Sequence, residues 1–173
     1  MKRIAIPLFL GIVLISLQTT LVMFLPIQRI RQDFVLIFTL YLALSYPPIS
    51  GGVLAFVMGY LTDLFSGNAL GFYTLTRPLL FYAVQIYRSR FYLEGFTFQF
   101  LLTSIAVLLE GFLILLLLIC LNPFPLPNLY LPFFTVLFPQ SLVTGLLAPV
   151  LFSLFDKGSD FVFRNYDTSL KEK

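Results

Sequence analysis

Three charged residues interrupt otherwise apolar stretches of this sequence: Asp63, Arg77 and Glu110. A charged group deep in a nonpolar medium costs at least about 2.5–3.5 kcal/mol, so each of them needs a partner or a functional reason. Only the short turn 66–71 separates the segments that carry Asp63 and Arg77, which favours antiparallel neighbouring helices with both residues at similar depth. The spacing therefore predicts an ion pair or a water-bridged contact between Asp63 and Arg77.

Glu110 lies in the middle of the Leu-rich segment 97–121, and three roles are open to it. It could contact Arg77 or another helix face, bind a partner protein, or form a ligand or proton site. The sequence has no histidine, and its single cysteine, Cys120, lies in an apolar run. Because no nucleophile–base pair is visible, and Asp63 and Glu110 lie on different segments, we expect no enzyme, no cofactor and no metal site.

Small residues recur at every fourth position before and after Asp63. On a helix this spacing places them in one stripe, which lets another helix approach closely. The stripe is expected to pack within the same bundle or against a different protein, and neither role excludes the other. The candidates for helix packing or partner binding are Gly51, Ala55, Gly59, Asp63, Gly67, Gly71, Arg77 and Glu110.

The composition indicates that membrane helices hold these residues. Of the 173 residues, 59% are hydrophobic and only 11% are charged, and the mean hydropathy is +0.95. Soluble domains carry about 25% charged residues. A soluble fold of this size could not bury so much Leu, Ile, Val and Phe. The formal charge of +3 is too small to indicate nucleic acid binding.

Six apolar segments predict an all-α, polytopic transmembrane bundle of six spans, with five spans as the alternative. The segments are 4–25, 34–46, 49–65, 72–87, 97–121 and 133–155. The stretch 34–65 is long for one span and short for two, since a bilayer core is about 30 Å thick. Two short helices meeting at Pro47-Pro48 are favoured, and a re-entrant hairpin is the alternative. Residues 1–173 are expected to form a single transmembrane domain with a short amphipathic or disordered cytoplasmic tail, 156–173.

Lysine and arginine residues lie mostly on one predicted side of this bundle. With six spans, that side holds eight of them, whereas the other holds only Arg29 and Arg31, and Arg77 lies within a span. Because cytoplasmic loops carry the excess of basic residues, both termini are predicted to be cytoplasmic. The eight residues are Lys2, Arg3, Arg88, Arg90, Lys157, Arg164, Lys171 and Lys173.

A motif of about 25 residues surrounds Asp63. Gly59, Asp63 and Gly67 are spaced by four, and Leu70-Gly71 and an aromatic-rich segment follow. This pattern resembles the rod shape-determining protein MreD family of bacteria, which has a Gly-rich helix ending in G-x-x-x-D-x-x-x-G and then L-G. The chain length, the number of spans, the short basic N-terminus and the short tail agree with the same family.

The resemblance implies a non-enzymatic component of the bacterial inner (cytoplasmic) membrane that helps control cell shape and side-wall peptidoglycan synthesis. It implies binding to the bitopic protein MreC and, through it, to the elongation transglycosylase, the transpeptidase and the actin-like MreB filament. It also implies a fold similar to the substrate-binding subunits of energy-coupling-factor transporters.

That similarity raises an alternative function, a membrane subunit that captures a vitamin for an uptake transporter. Such subunits bind a small ligand near the outer face, where Asp63, Tyr73 and Arg77 could converge. They typically carry an Ala-x-x-x-Ala signature in the first span for docking on the energising subunit. Segment 4–25 contains a single alanine, Ala5, and lacks that signature.

Overall fold

The computed structural model describes residues 2–24, 33–66, 71–88, 95–121 and 133–171, which are almost entirely helical. This confirms the predicted all-α class. A π-helical turn, Phe133–Leu137, leads directly into the last α-helix, which continues beyond the predicted end of the sixth segment. The six α-helices in the described residues are α1 (Lys2–Phe24), α2 (Phe34–Ser45), α3 (Pro48–Ser66), α4 (Phe72–Tyr87), α5 (Phe96–Leu121) and α6 (Phe138–Lys171).

Several of these helices have the length and composition of membrane spans. Three helical stretches are long and apolar enough to cross a membrane, and two further apolar stretches are shorter. Large apolar side chains such as Phe56, Ile86 and Leu146 lie more than half exposed on the outside of the bundle, as a lipid-facing surface requires. These features are consistent with a multi-pass membrane protein. The long stretches are Pro48–Ser66, Phe96–Cys120 and Thr135–Gly158, and the shorter ones are Pro7–Thr20 and Phe34–Ser45.

Helix α2 lies at the centre of the bundle, where it packs against the other five α-helices. Every residue from Phe34 to Leu44 is buried. A helix that is apolar on all sides is buried on all sides, and α2 fits that rule. Its 12 residues extend only about 18 Å, which is shorter than the apolar core of a bilayer.

The break between α2 and α3 lies where the two prolines predict it. Tyr46 is in an extended conformation (φ −107°, ψ 156°), because a residue before proline disfavours the helical region. Pro48 occupies the first position of α3, where a missing N–H costs nothing. The favoured prediction of two separate helices in this stretch therefore agrees with the observed helix bounds.

Aromatic rings join α2 to α6. The ring of Phe155 packs edge-on against Phe38 with centroids 5.2 Å apart, and it lies 5.3 Å from the ring of Tyr41. Phe152 packs edge-on against Tyr41 at 5.8 Å. Such edge-to-face pairs add about 0.5–1.5 kcal/mol each beyond the burial of their area. This cluster holds α6 against the central helix.

Candidate functional site: a buried ion network beside an open cavity

Arg77 is the central residue of a buried ion network that joins three helices. Its guanidinium, on α4, is fully buried. The Nη2 atom lies 2.5 Å from Oδ2 of Asp33, the residue that precedes α2, and Nε lies 2.7 Å from Oε1 of Glu110 on α5. Asp33 and Glu110 are themselves 7% and 5% exposed. The network therefore links α2, α4 and α5 in the interior of the bundle.

Neighbouring groups hold Asp33 and Arg77 in position within this network. Asp33 is the N-cap of α2, and its Oδ1 accepts a hydrogen bond from the backbone N–H of Leu36 at 2.9 Å. Tyr73 lies one helical turn before Arg77, and its ring centroid is 5.4 Å from the guanidinium carbon, a cation–π distance. Removing one partner of a buried ion pair costs about 3–5 kcal/mol. The network is therefore a strong constraint on how these helices pack.

Asp63 forms no direct ion pair with Arg77, so the predicted Asp63–Arg77 ion pair is wrong. Its carboxylate instead accepts hydrogen bonds from the start of α4: from the backbone N–H of Gly71 (3.1 Å), Tyr73 (3.0 Å) and Thr74 (2.8 Å), and from the Thr74 hydroxyl (2.5 Å). The first N–H groups of a helix have no partner within the helix and carry partial positive charge. These groups lie nearer to Asp63 than Arg77 does, and Asp33 and Glu110 occupy Arg77.

The small-residue stripe of α3 packs against α4. A Cβ atom on Gly51 would collide with the ring of Phe81, and one on Gly59 would meet the Tyr73 carbonyl and lie 2.9 Å from the Cα of Thr74. Ala55 is fully buried. The stripe therefore brings the backbone of α4 close to α3, and Asp63, one turn beyond Gly59, reaches the start of α4. Gly71 completes this junction with a positive φ of 114°, which favours glycine.

The structure divides the predicted residues into two groups and adds one that the prediction missed. Asp63, Gly71 and the small residues of the stripe form the α3–α4 junction. Arg77 and Glu110 meet in the ion network. Contact with Arg77 is one of the three roles left open for Glu110. Asp33 was missed because it was assigned to a polar connection. Its position directly before an apolar segment is the usual signal of an N-cap and could have identified it. Gly67 lies outside the described residues.

An open cavity of about 530 Å³ lies beside the ion network. It is situated at the end of the bundle where α1, α3 and α5 end and where α2, α4 and α6 begin. Asp33 and Glu110 line it, together with Tyr73, whereas Arg77 and Asp63 do not. The three residues expected to converge on a vitamin are therefore not brought together at this cavity. Its other polar lining residues are Gln18, Thr19, Thr62, Ser66 and Gln140.

One face of α5 forms much of the cavity wall. Val107 lies deepest along this face, Glu110 lies about one turn nearer the end of α5, and Ile114, Leu115 and Leu118 follow at helical spacing. Gly111, next to Glu110 in the chain, is in close contact with the side chain of Leu137. Among the described residues, no three potential ligands from His, Cys, Asp and Glu lie together as a metal site. The arrangement of these side chains supports helix packing and the binding of a ligand.

Comparison with known proteins identifies the family. The family model of the rod shape-determining protein MreD matches residues 2–157. The chain belongs to the MreD family. No curated protein and no solved structure is significantly similar to it.

Membership of the MreD family confirms the resemblance seen around Asp63 and implies a role in determining rod shape. Proteins of this family are, in general, shape-determining membrane proteins without enzymatic activity. The matched range contains the α3–α4 junction, the ion network and the residues that line the cavity. In this member, Gly59, Asp63 and Gly71 of the motif serve to join two helices.

Proposed function

We propose that this protein is a non-enzymatic scaffold of the bacterial cell-elongation complex that binds an MreC-like bitopic membrane protein. The observation that carries the proposal is that the buried charged residues of this protein bind other groups within the bundle. Asp33, Arg77 and Glu110 pair with one another, and Asp63 caps α4, so these four groups hold helices in place. A rigid bundle of this kind suits a protein whose task is to position another.

Through the MreC-like partner, the scaffold would connect to the elongation transglycosylase, the transpeptidase and the MreB filament. This extension rests on family membership. It assigns the protein a part in side-wall peptidoglycan synthesis without any chemical step of its own.

The proposed topology has six membrane-inserted helices in a single transmembrane domain, 1–173, with both termini in the cytoplasm. The excess of lysine and arginine at the termini and in the segment after α4 supports this orientation. With this orientation, the cavity opens toward the outer face of the inner membrane. Fusion of a phosphatase that is active only outside the cytoplasm tests it: fusions after residue 171 should be inactive, and fusions within 122–132 should be active.

The proposed function is tested in rod-shaped bacteria depleted of their own MreD. Expression of the tagged chain should restore rod shape, and MreC should co-purify with it in mild detergent. The variant Gly59→Leu does not test this interaction, because Gly59 packs against α4 and the variant would disturb the fold. A chain that inserts at the normal level but restores no rods and retains no MreC would refute the scaffold.

The contact surface can be mapped from the exposed apolar faces. A photo-crosslinking residue placed at Phe56 on α3, Phe112 on α5 or Leu146 on α6 reports on three separate faces, since each of these side chains is more than half exposed. A specific scaffold should crosslink strongly to MreC from one face and weakly from the others. Equal crosslinking from all three would indicate random collisions in the membrane and would count against specific binding.

The cavity supports a second candidate function, capture of a vitamin for an uptake transporter. Its volume of about 530 Å³ lies within the range of small-molecule sites, about 300–1,000 Å³. A thermal-shift screen with vitamins distinguishes the two functions, since a ligand at 100 times its dissociation constant adds about 2.7 kcal/mol of stability. Stabilisation by one vitamin, with no retention of MreC, would favour the transporter subunit.

A further inference from the structure

The cavity beside the ion network has an excess of negative charge on its lining. Asp33 and Glu110 both line it, whereas Arg77, their shared partner, does not. Two carboxylates and one guanidinium sum to a formal charge of −1. Among the described residues that line the cavity, none is lysine or arginine. Among the described residues, the lining of the cavity is therefore acidic, and Arg77, the cation that pairs with both carboxylates, is not part of that lining.

Two buried oxygen atoms at this cavity have unused capacity to accept hydrogen bonds. The Oε1 atom of Gln18 is buried and receives no hydrogen bond from any residue that the structure describes. Oε1 of Glu110, on a side chain that is only 7% exposed, lies 2.7 Å from Arg77 Nε but receives no hydrogen bond of normal geometry. A buried acceptor without a donor is unfavourable, because it has lost its hydrogen bond to water. Both groups therefore favour a ligand that brings hydrogen-bond donors.

The shape of the cavity adds an apolar requirement. From Glu110 to Leu118 its wall follows one face of α5, a distance of about 12 Å at 1.5 Å per residue. Ile114 and Leu115 lie between these two residues, so the wall becomes apolar as soon as it leaves the acid. A ligand that matches the whole cavity has a donor group at one end and an apolar stem of several carbon atoms.

We propose that this cavity binds an organic cation whose primary ammonium group is carried on an apolar stem. The ammonium lies among the oxygens of Asp33, Glu110 and Gln18, and the stem lies along Ile114 and Leu115. Charge and hydrogen-bond donors favour a cation over an alcohol or an acid of the same size, because a hydrogen bond to a charged group is the stronger one. This binding activity goes beyond the scaffold function and does not depend on it. The ligand could be a free amine or the amine headgroup of a lipid.

The test measures binding of n-hexylammonium to the full chain in nanodiscs of phosphatidylcholine, whose headgroup has no N–H donor. Hexanol and hexanoate are the matched probes, and empty nanodiscs correct for partition into lipid. A hydrogen bond from a charged donor exceeds one from a neutral donor by about 1–1.5 kcal/mol, which predicts that hexylammonium binds roughly 5–10-fold more tightly than hexanol. Equal binding of the three probes would overturn the proposal.

Two adjacent leucines of α5 supply the matched variants. Leu115→Trp fills the cavity and should abolish the binding, whereas Leu116→Trp introduces the same side chain on the exposed face and should leave binding unchanged. Gln18→Leu removes one acceptor without touching the ion network and should weaken binding several-fold. Loss of binding in Leu116→Trp, or normal binding in Leu115→Trp, would place the amine elsewhere and overturn the assignment.

Two further arms identify the source of the cation. Nanodiscs of phosphatidylethanolamine should weaken hexylammonium binding if the lipid amine occupies the cavity, and should leave it unchanged if the ligand is a free amine; the site holds in both cases. Arg29 and Arg31 precede Asp33 in the sequence and lie outside the described residues. Replacement of these two arginines by glutamine should not change the affinity of the chain for hexylammonium. If this replacement raised the affinity for hexylammonium by more than about tenfold, it would show that Arg29 or Arg31 fills the site in the original chain. That result would overturn the proposal.

Discussion

Replacement of Arg77 by methionine should strongly destabilise this protein, because it leaves two buried carboxylates without a cation. Asp33 and Glu110 lie 2.5 and 2.7 Å from the guanidinium and are almost fully buried. Removal of one partner of a buried ion pair costs about 3–5 kcal/mol. For a protein of this size, each kcal/mol lowers the melting temperature by about 2–4 °C, so Arg77→Met should lower it by about 6–20 °C.

The assay is thermal unfolding in a neutral detergent, followed by circular dichroism because the chain has no tryptophan. The decisive comparison is a triple variant that combines Arg77→Met with Asp33→Asn and Glu110→Gln. It removes all three charges and keeps an asparagine as the cap of α2, so it should recover more than half of the lost stability. Arg88→Met is a matched control, since the hydrogen bond that Arg88 donates among the described residues is to the Tyr46 carbonyl, at 3.3 Å, and its loss should cost about 0.5–1.5 kcal/mol.

Either of two results would refute the role of Arg77 as the buried counter-charge of Asp33 and Glu110. The first is an Arg77→Met variant no less stable than Arg88→Met, which would show that the buried carboxylates need no cation. The second is a triple variant no more stable than the single one, which would show that Arg77 acts through packing of its stem and not through its charge.

Other substitutions test the helix junctions by the same unfolding measurement. Asp63→Ala removes the acceptor at the start of α4 and should cost about 1–2 kcal/mol, whereas Leu64→Ala, on the exposed face of the same helix, should cost less than half as much. Gly59→Ala places a methyl group against the backbone of α4 and should cost about 1–3 kcal/mol. In Gly111→Ala the added methyl group meets only the movable end of the Leu137 side chain, so the loss of stability should be smaller. Equal losses of stability in Gly59→Ala and Gly111→Ala would contradict the packing argument. Phe155→Ala removes a ring that packs on two aromatic residues of α2 and should cost about 3–5 kcal/mol.

The helices themselves could be predicted closely because the signals for them are local. The break at Pro47-Pro48 follows from the restriction that proline imposes on its own backbone and on the preceding residue. The four-residue spacing of Gly51, Ala55 and Gly59 likewise predicted a packing face, and the structure places that face against α4.

The partner of each buried charge could not be predicted in the same way. Asp63 and Arg77 are near in sequence, yet Asp63 caps α4 and Arg77 reaches Asp33, which is 44 residues away in the chain. Sequence distance is a poor guide here because the first N–H groups of α4 compete for the carboxylate. The central position of α2 brings Asp33 to the guanidinium, and no local pattern encodes that position.

The sequence by itself determined the apolar character of the helices, their number and approximate bounds, and the family. It could do so because hydropathy, proline positions and a short motif are properties of contiguous residues. Only the tertiary structure decided that Asp33, Arg77 and Glu110 form one network and that a cavity opens beside two of them. Such contacts depend on which helices are neighbours and on how each is rotated about its axis. The packing of the whole bundle sets both of these quantities.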